Sequence, residues 1–176
     1  MRVYTLGYEG LSPELYVKAL VNAGVGVLID VRERAWSQRP AFVKSTLARS
    51  LQNVGISYLH FPRAGNPSQN RKTARSAAEC MSRYRQYLQG HRGCVEDILV
   101  EIRLAAEGQR YACLACYEHD FENCHRGVLA EELVGLAANL SVYHLAPTAP
   151  AKKLKTHQPS VVAASTFLHP TLFPLT

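Results

Sequence analysis

The run Val25-Gly26-Val27-Leu28-Ile29-Asp30-Val31 constrains the fold of this chain more than any other stretch. A strand with one solvated face alternates apolar and polar residues. This run hardly alternates, so both of its faces must be covered. Strands of that kind lie inside parallel sheets, whose crossover helices shield the two sides. The flanking sequence agrees. Arg2 to Leu6 reads as a first strand, followed by the turn Gly7-Tyr8-Glu9-Gly10. Ser12-Pro13-Glu14 is a helix start: a serine that can accept from free backbone amides, a proline where no N–H is needed, and an acid facing the positive helix end. Leu15, Val17, Leu20 and Val21 follow at helical spacing, and Gly24 ends the helix.

Downstream, a helix is expected over about Val43–Asn53, then a strand over Ile56–Phe61 and a loop from Pro62 to about Thr73. Helices over about Ala77–Gln89 and Val95–Ala106 come next, then a short apolar strand from Tyr111. A further helix runs to about Asn139, and a last strand covers Ser141–Leu145. This alternation predicts an α/β protein: a Rossmann-like three-layer sandwich with a mainly parallel sheet of about five strands. The domain is expected over residues 1–146. Five of the nine prolines lie from Pro147 onward, with Lys152-Lys153-Leu154-Lys155 among them, so 147–176 reads as a Pro-rich basic tail, flexible or loosely docked.

No apolar run is long enough to span a bilayer, and the first residues carry no signal-peptide pattern. The five cysteines are an odd number, which argues against a closed disulfide framework. Free thiols suit a reducing compartment, and a cytoplasmic location is expected. The net charge is +6, unevenly placed. Between Arg32 and Arg75 nine basic residues face one acid, Glu33; this segment alone is +8, leaving −2 for the rest. Such an excess suits an anionic small molecule or a nucleic acid as partner. A solvated basic surface is the plain alternative. The sequence sets no cofactor and no oligomeric state.

The chemistry-bearing residues gather between Tyr111 and Leu133, in a strand, a polar turn and a helix. With Asn123 as helix cap, Cys124, His125 and Arg126 occupy the first turn. Free N–H groups and the positive helix end lower a thiol pKa there, so Cys124 is a candidate nucleophile, with His125 and Arg126 assisting. Glu118 and Asp30 are candidate proton carriers, although either carboxylate could instead form a structural ion pair with an arginine. Tyr8, Glu9, Arg32, Arg39, Asn66 and Cys116 are candidate substrate contacts at the carboxyl edge of the sheet.

Two other readings stand beside this one. In a binding module for nucleotides or nucleic acid, Arg34, Arg39, Arg71 and Lys72 would meet phosphates while Trp36 or Tyr8 stacks on a base. In a metal site, Cys116 and Cys124 would act with His119 or His125. Cys113 does not join it: residues three apart on a strand face opposite sides, and Cys113, the deeper of the two in the strand, reads as core. His60 and His144, inside strand patterns, are expected in core or hydrogen-bonded roles.

Several of these pieces together resemble one known family. They are Thr5-Leu6-Gly7-Tyr8-Glu9-Gly10, Leu28-Ile29-Asp30-Val31-Arg32, Ser37 to Phe42, Tyr58-Leu59-His60-Phe61, Gly65-Asn66-Pro67, and Cys116-Tyr117-Glu118 with Cys124-His125-Arg126. The set is similar to the domain of unknown function 488 (DUF488) over roughly Arg2 to Leu145. Many members have Gly-His-Ser where this chain has Gly7-Tyr8-Glu9. The resemblance implies a compact α/β fold with a site around these motifs, and no established reaction.

Overall fold

A computed structural model describes residues 1–147. Five strands form one sheet: β1 (Arg2–Gly7), β2 (Val25–Asp30), β3 (Ser57–His60), β4 (Tyr111–Cys116) and β5 (Ser141–His144). Their order is β3-β2-β4-β1-β5, and every pairing is parallel. Six α-helices accompany them: α1 (Pro13–Asn22), α2 (Lys44–Gln52), α3 (Ser68–Thr73), α4 (Ala77–Gly90), α5 (Arg92–Glu107) and α6 (His125–Leu136). The three-layer α/β architecture expected from the alternation is present.

Strand parity sorts the core into two halves. Tyr4, Leu6, Leu28, Cys113 and Ala115 face Tyr16 and Leu20 of α1 and Leu47 and Leu51 of α2. Val3, Val27, Ile29, Ala112 and Leu114 face Tyr84 and Leu88 of α4, Ile98 and Ile102 of α5, and Leu129 and Leu133 of α6. Each fully buried aliphatic side chain contributes about 1.5–3 kcal/mol. Helix α1 begins as its sequence requires: the Ser12 side chain accepts from Leu15 N at 3.2 Å, with Pro13 in the first turn. It ends at Gly24, whose φ of 68° suits a residue without Cβ.

The segment expected as loop from Pro62 to Thr73 instead contains a 3-10 turn, Pro62–Ala64, and the short helix α3. Helix α3 buries none of its residues, so no apolar periodicity announced it. Helix α6 ends at Leu136, before the expected Asn139. The proposed tail beyond Pro147 lies outside the described residues.

The strand order places the site. From β1 the chain crosses through α1 to β2, on one side of β4. From β4 it crosses through α6 to β5, on the other side of β1. Connections thus leave the neighbouring strands β1 and β4 in opposite directions, with their helices on opposite faces. The crevice beyond the carboxyl ends of such a pair is where open α/β sheets bind ligands.

Candidate functional site

Two turns close this crevice, 8–11 after β1 and 117–124 after β4. They are joined by backbone bonds, Tyr8 N to Cys116 O at 3.3 Å and Glu9 N to Tyr117 O at 2.8 Å. The Glu9 carboxylate accepts from His119 N at 3.0 Å. Gly7 makes this approach possible, since a Cβ there would lie 1.7 Å from the Glu118 carbonyl oxygen. That carbonyl accepts from Arg126 Nη1, and Arg126 Nη2 donates to His119 O at 2.8 Å. Arg126 Nε donates to Thr5 Oγ1 at 3.3 Å. Arg126 is 1% exposed and forms no ion pair with a carboxylate among the described residues. It braces the 118–119 backbone and lines neither of the cavities described below.

At the end of β4, Cys116 shares the face of Ala112 and Leu114, opposite Cys113, as strand parity requires. Its Sγ donates to Glu118 Oε2 at 2.9 Å, and Cys124 Sγ donates to the same oxygen at 3.0 Å. His125 Nδ1 lies 3.6 Å from Cys116 Sγ and 3.9 Å from Cys124 Sγ. His125 Nε2 is 2.9 Å from the Val31 carbonyl oxygen. A carbonyl only accepts, so Nε2 carries the hydrogen, and in the neutral ring Nδ1 presents its lone pair to the sulfurs. The His125 ring packs edge-on against Tyr84, with centroids 5.3 Å apart. The donor atoms of Cys116, Glu118, Cys124 and His125 all lie within 4.8 Å of one another. His119, the other candidate ligand, is exposed and stands outside the group.

Two local expectations are corrected. The cap of α6 is Cys124, whose Sγ accepts from Arg126 N at 3.5 Å, and not Asn123. Asp120 holds the Asn123 amide at 2.7 Å and Glu122 N at 2.9 Å, so Asn123 is drawn away from the helix end. Nor is the Cys124 thiol acidified. At 1% exposure, burial pushes its pKa well above the ordinary thiol value, the neighbouring Cys116 pushes the same way, and His125 offsets this only in part. Burial also presses the Glu118 carboxyl upward, but the two thiol hydrogen bonds and His125 prevail and hold it below the usual value. His125 moves up: burial opposes its charge, and Cys124, the Val31 carbonyl and Glu118 outweigh that.

Beside this cluster opens a cavity of about 770 Å³. Its floor includes Cys116, Glu118 and His125; its wall carries Arg32, Arg34, Arg39 and Arg71; Tyr8, Trp36 and Tyr117 supply rings. Arg32 is held by Asp30, with Nη2 at 2.6 Å from Oδ2, and donates to the Tyr8 hydroxyl at 2.9 Å. Burial lowers its pKa, yet the Asp30 carboxylate, with the Tyr8 hydroxyl, raises it above the ordinary value. Asp30 is fully buried, accepts from Tyr58 OH at 2.6 Å as well, and does not border the cavity. Its geometry is that of a group orienting Arg32. Arg39 donates to the carbonyls of Tyr8 and Leu11, pinning the 8–11 turn, and lies over the Phe42 ring.

Asn66 is elsewhere. It is buried, donates to Cys80 Sγ at 3.3 Å and borders a second cavity of about 420 Å³, which shares Arg71, Glu118 and His125 with the first. His60 and His144 are hydrogen-bonded, to Arg32 O at 2.9 Å and Thr5 Oγ1 at 2.8 Å. Sequence reasoning missed Tyr58, which reaches Asp30 only through the β2–β3 register. It also left Tyr117, Ser37 and Gln38 out of the cavity lining. The apolar–aromatic–acid ending of β4 was the signal for Tyr117.

The fold and site define a doubly wound α/β protein whose Cys–Glu–His cluster sits at the switch point of its sheet. The family model for the domain of unknown function DUF488 matches residues 12–133, and the chain belongs to that family. No curated protein and no solved structure matches it. Among the described residues, no helix is long and apolar enough to cross a membrane.

Proposed function

We propose that this protein is an enzyme acting on an anionic, ring-bearing small molecule of the nucleotide class. The observation that carries the reading is the composition of the large cavity: four arginines and three aromatic rings around a floor of Cys116, Glu118 and His125. Arg32 and Arg39 are tied to the protein, so they shape the wall and add positive field. Arg34 is exposed, and Arg71 makes only a surface pair with Glu33 at 2.9 Å. Exposed pairs of that kind are weak, so a phosphate can take Arg71 from Glu33. Trp36, 65% exposed at the rim, is a stacking face for the ring. Cys116, Glu118 and His125 form the reactive floor that meets the substrate, and Cys124 and Arg126 hold them in place.

Trp36 is the sole tryptophan, so its fluorescence reports on the rim. Nucleoside monophosphates are titrated against their parent nucleosides and against inorganic phosphate. The expected result is saturable quenching, with the monophosphate binding at least ~tenfold tighter than the nucleoside and the preference lost in Arg34→Ala/Arg71→Ala. Turnover of the bound monophosphate is then assayed, and Cys116→Ser should bind it without turnover. Equal binding of nucleoside and monophosphate, or none, overturns the reading. Preference for single-stranded polynucleotide with a steep salt dependence would move the protein to the nucleic-acid-binding class.

A further inference from the structure

We propose that Cys116, Cys124, Nδ1 of His125 and the Glu118 carboxylate form a binding site for a zinc-class divalent cation. The inference concerns the cluster alone and does not depend on the substrate proposed for the neighbouring cavity.

The donor types come first. Two sulfurs, one imidazole nitrogen and one carboxylate oxygen make a borderline-soft set, suited to Zn²⁺ and poorly suited to Mg²⁺ or Ca²⁺. The distances come next. Four-coordinate zinc, with bonds of about 2.0–2.3 Å, places its donors about 3.5–3.8 Å apart. His125 Nδ1 is already 3.6 and 3.9 Å from the two sulfurs. The Glu118 oxygen, at 2.9 and 3.0 Å from them, needs to withdraw by only about half an ångström.

The surroundings give a separate argument. His125 is locked as the tautomer that leaves Nδ1 as donor, because Nε2–H is held by the Val31 carbonyl. Metal-binding histidines are oriented by just such a bond on the other ring nitrogen. Arg126 N–H points at Cys124 Sγ, and the Arg126 side chain fixes the backbone that carries Glu118.

The proton balance also closes. Without a cation the cluster holds two neutral thiols and one carboxylate, a charge of −1. Loading forms two metal–sulfur bonds, releases the two S–H protons to solvent and replaces them with one doubly charged ion. The charge stays −1. The buried Arg126 guanidinium, which meets no carboxylate among the described residues, donates to the backbone carbonyl of Glu118. Cys116, Glu118 and His125 border the open cavity, so an ion can reach the site from solvent.

The test uses the full chain, purified without chelators and assayed by elemental analysis for bound metal. One equivalent of zinc per chain is expected, falling more than ~tenfold in Cys116→Ser and in Cys124→Ser and unchanged in Cys80→Ser. A second measurement guards against variants that fail to fold. Wild-type protein stripped by chelator is titrated with Co²⁺, which should give a sulfur-to-cobalt charge-transfer band and release two protons per ion. A stripped wild-type protein that is folded by circular dichroism yet gives no such band overturns the proposal. So does full metal retention in the folded Cys116→Ser/Cys124→Ser variant, or an intact mass showing the two cysteines joined as a disulfide. Nucleotide binding by a folded protein that takes up no metal leaves the functional reading standing while this inference falls.

Discussion

Arg32 and Arg126 are the two buried arginines at the carboxyl edge of the sheet, 7% and 1% exposed, and they are satisfied in opposite ways. Arg32 meets a carboxylate: Asp30 takes Nε and Nη2, and Tyr58 completes the Asp30 shell. Arg126 meets dipoles, two carbonyls and a hydroxyl. The first charge is cancelled where it sits, and what remains is geometry, since Arg32 fixes the Tyr8 hydroxyl at the cavity wall. The second charge meets no carboxylate among the described residues, and its bonds hold the 118–119 backbone in place. One arginine builds a wall, while the other braces the turn that carries Glu118.

The sharpest way to break this contrast is to remove the cancelling charge. Asp30→Asn leaves Arg32 buried and unpaired, and the expected loss is about 3–5 kcal/mol of unfolding free energy, measured by urea denaturation. A loss no greater than that of Arg126→Met would mean that local cancellation is not what separates the two. Arg126→Met removes no ion pair but strands the carbonyls of Glu118 and His119 and the Thr5 hydroxyl. About 2–3 kcal/mol is expected for these unmet groups, with faster alkylation of Cys116 and Cys124 once the 118–119 backbone is freed. Unchanged alkylation would show that Arg126 does not hold the cluster.

The smallest effect concerns His144. Burial first, and then the Arg126 charge, keep its pKa below the ordinary histidine value. The folded state therefore favours neutral His144, while the unfolded chain takes up a proton near pH ~6.5. This contribution to stability is complete above that pH and is lost as pH falls through the lower folded value. His144→Gln should flatten the fall in urea midpoint below neutrality relative to wild type. Identical pH profiles would sink the assignment.

The parts of the fold that depend on neighbouring residues were readable in the chain. Continuous apolarity at Val25–Val31 announced a strand covered on both faces, and Ser12-Pro13 announced the start of α1. Strand parity, with Cys113 the deeper of the two, separated Cys113, in the core, from Cys116, at the site. What escaped needed contacts distant in sequence, or competition between neighbours. Nothing in a strand's own residues says that β4 inserts between β1 and β2. Asn123 is the better cap by type, yet Asp120 claims its side chain and the position passes to Cys124. The helix end led to an acidified Cys124, whereas the depth of burial, which only packing reveals, decides the sign. The cluster itself was half legible. Cys116, Cys124 and His125 were found by spacing, but Glu118 entered as a proton carrier and not as the group both thiols contact.

The insertion of β4 has a consequence for how the molecule comes into being. β1 pairs with β4 and β5 and with no other described strand, so its nearest partner in the chain begins at Tyr111. Through most of synthesis the first strand has no ladder to join, and its edges stay open to other chains. Contacts spanning so much sequence are slow to form. The crevice between β1 and β4, with every group that would act in it, is therefore among the last features to assemble, and a chain cut short before Tyr111 carries an unsatisfied β1.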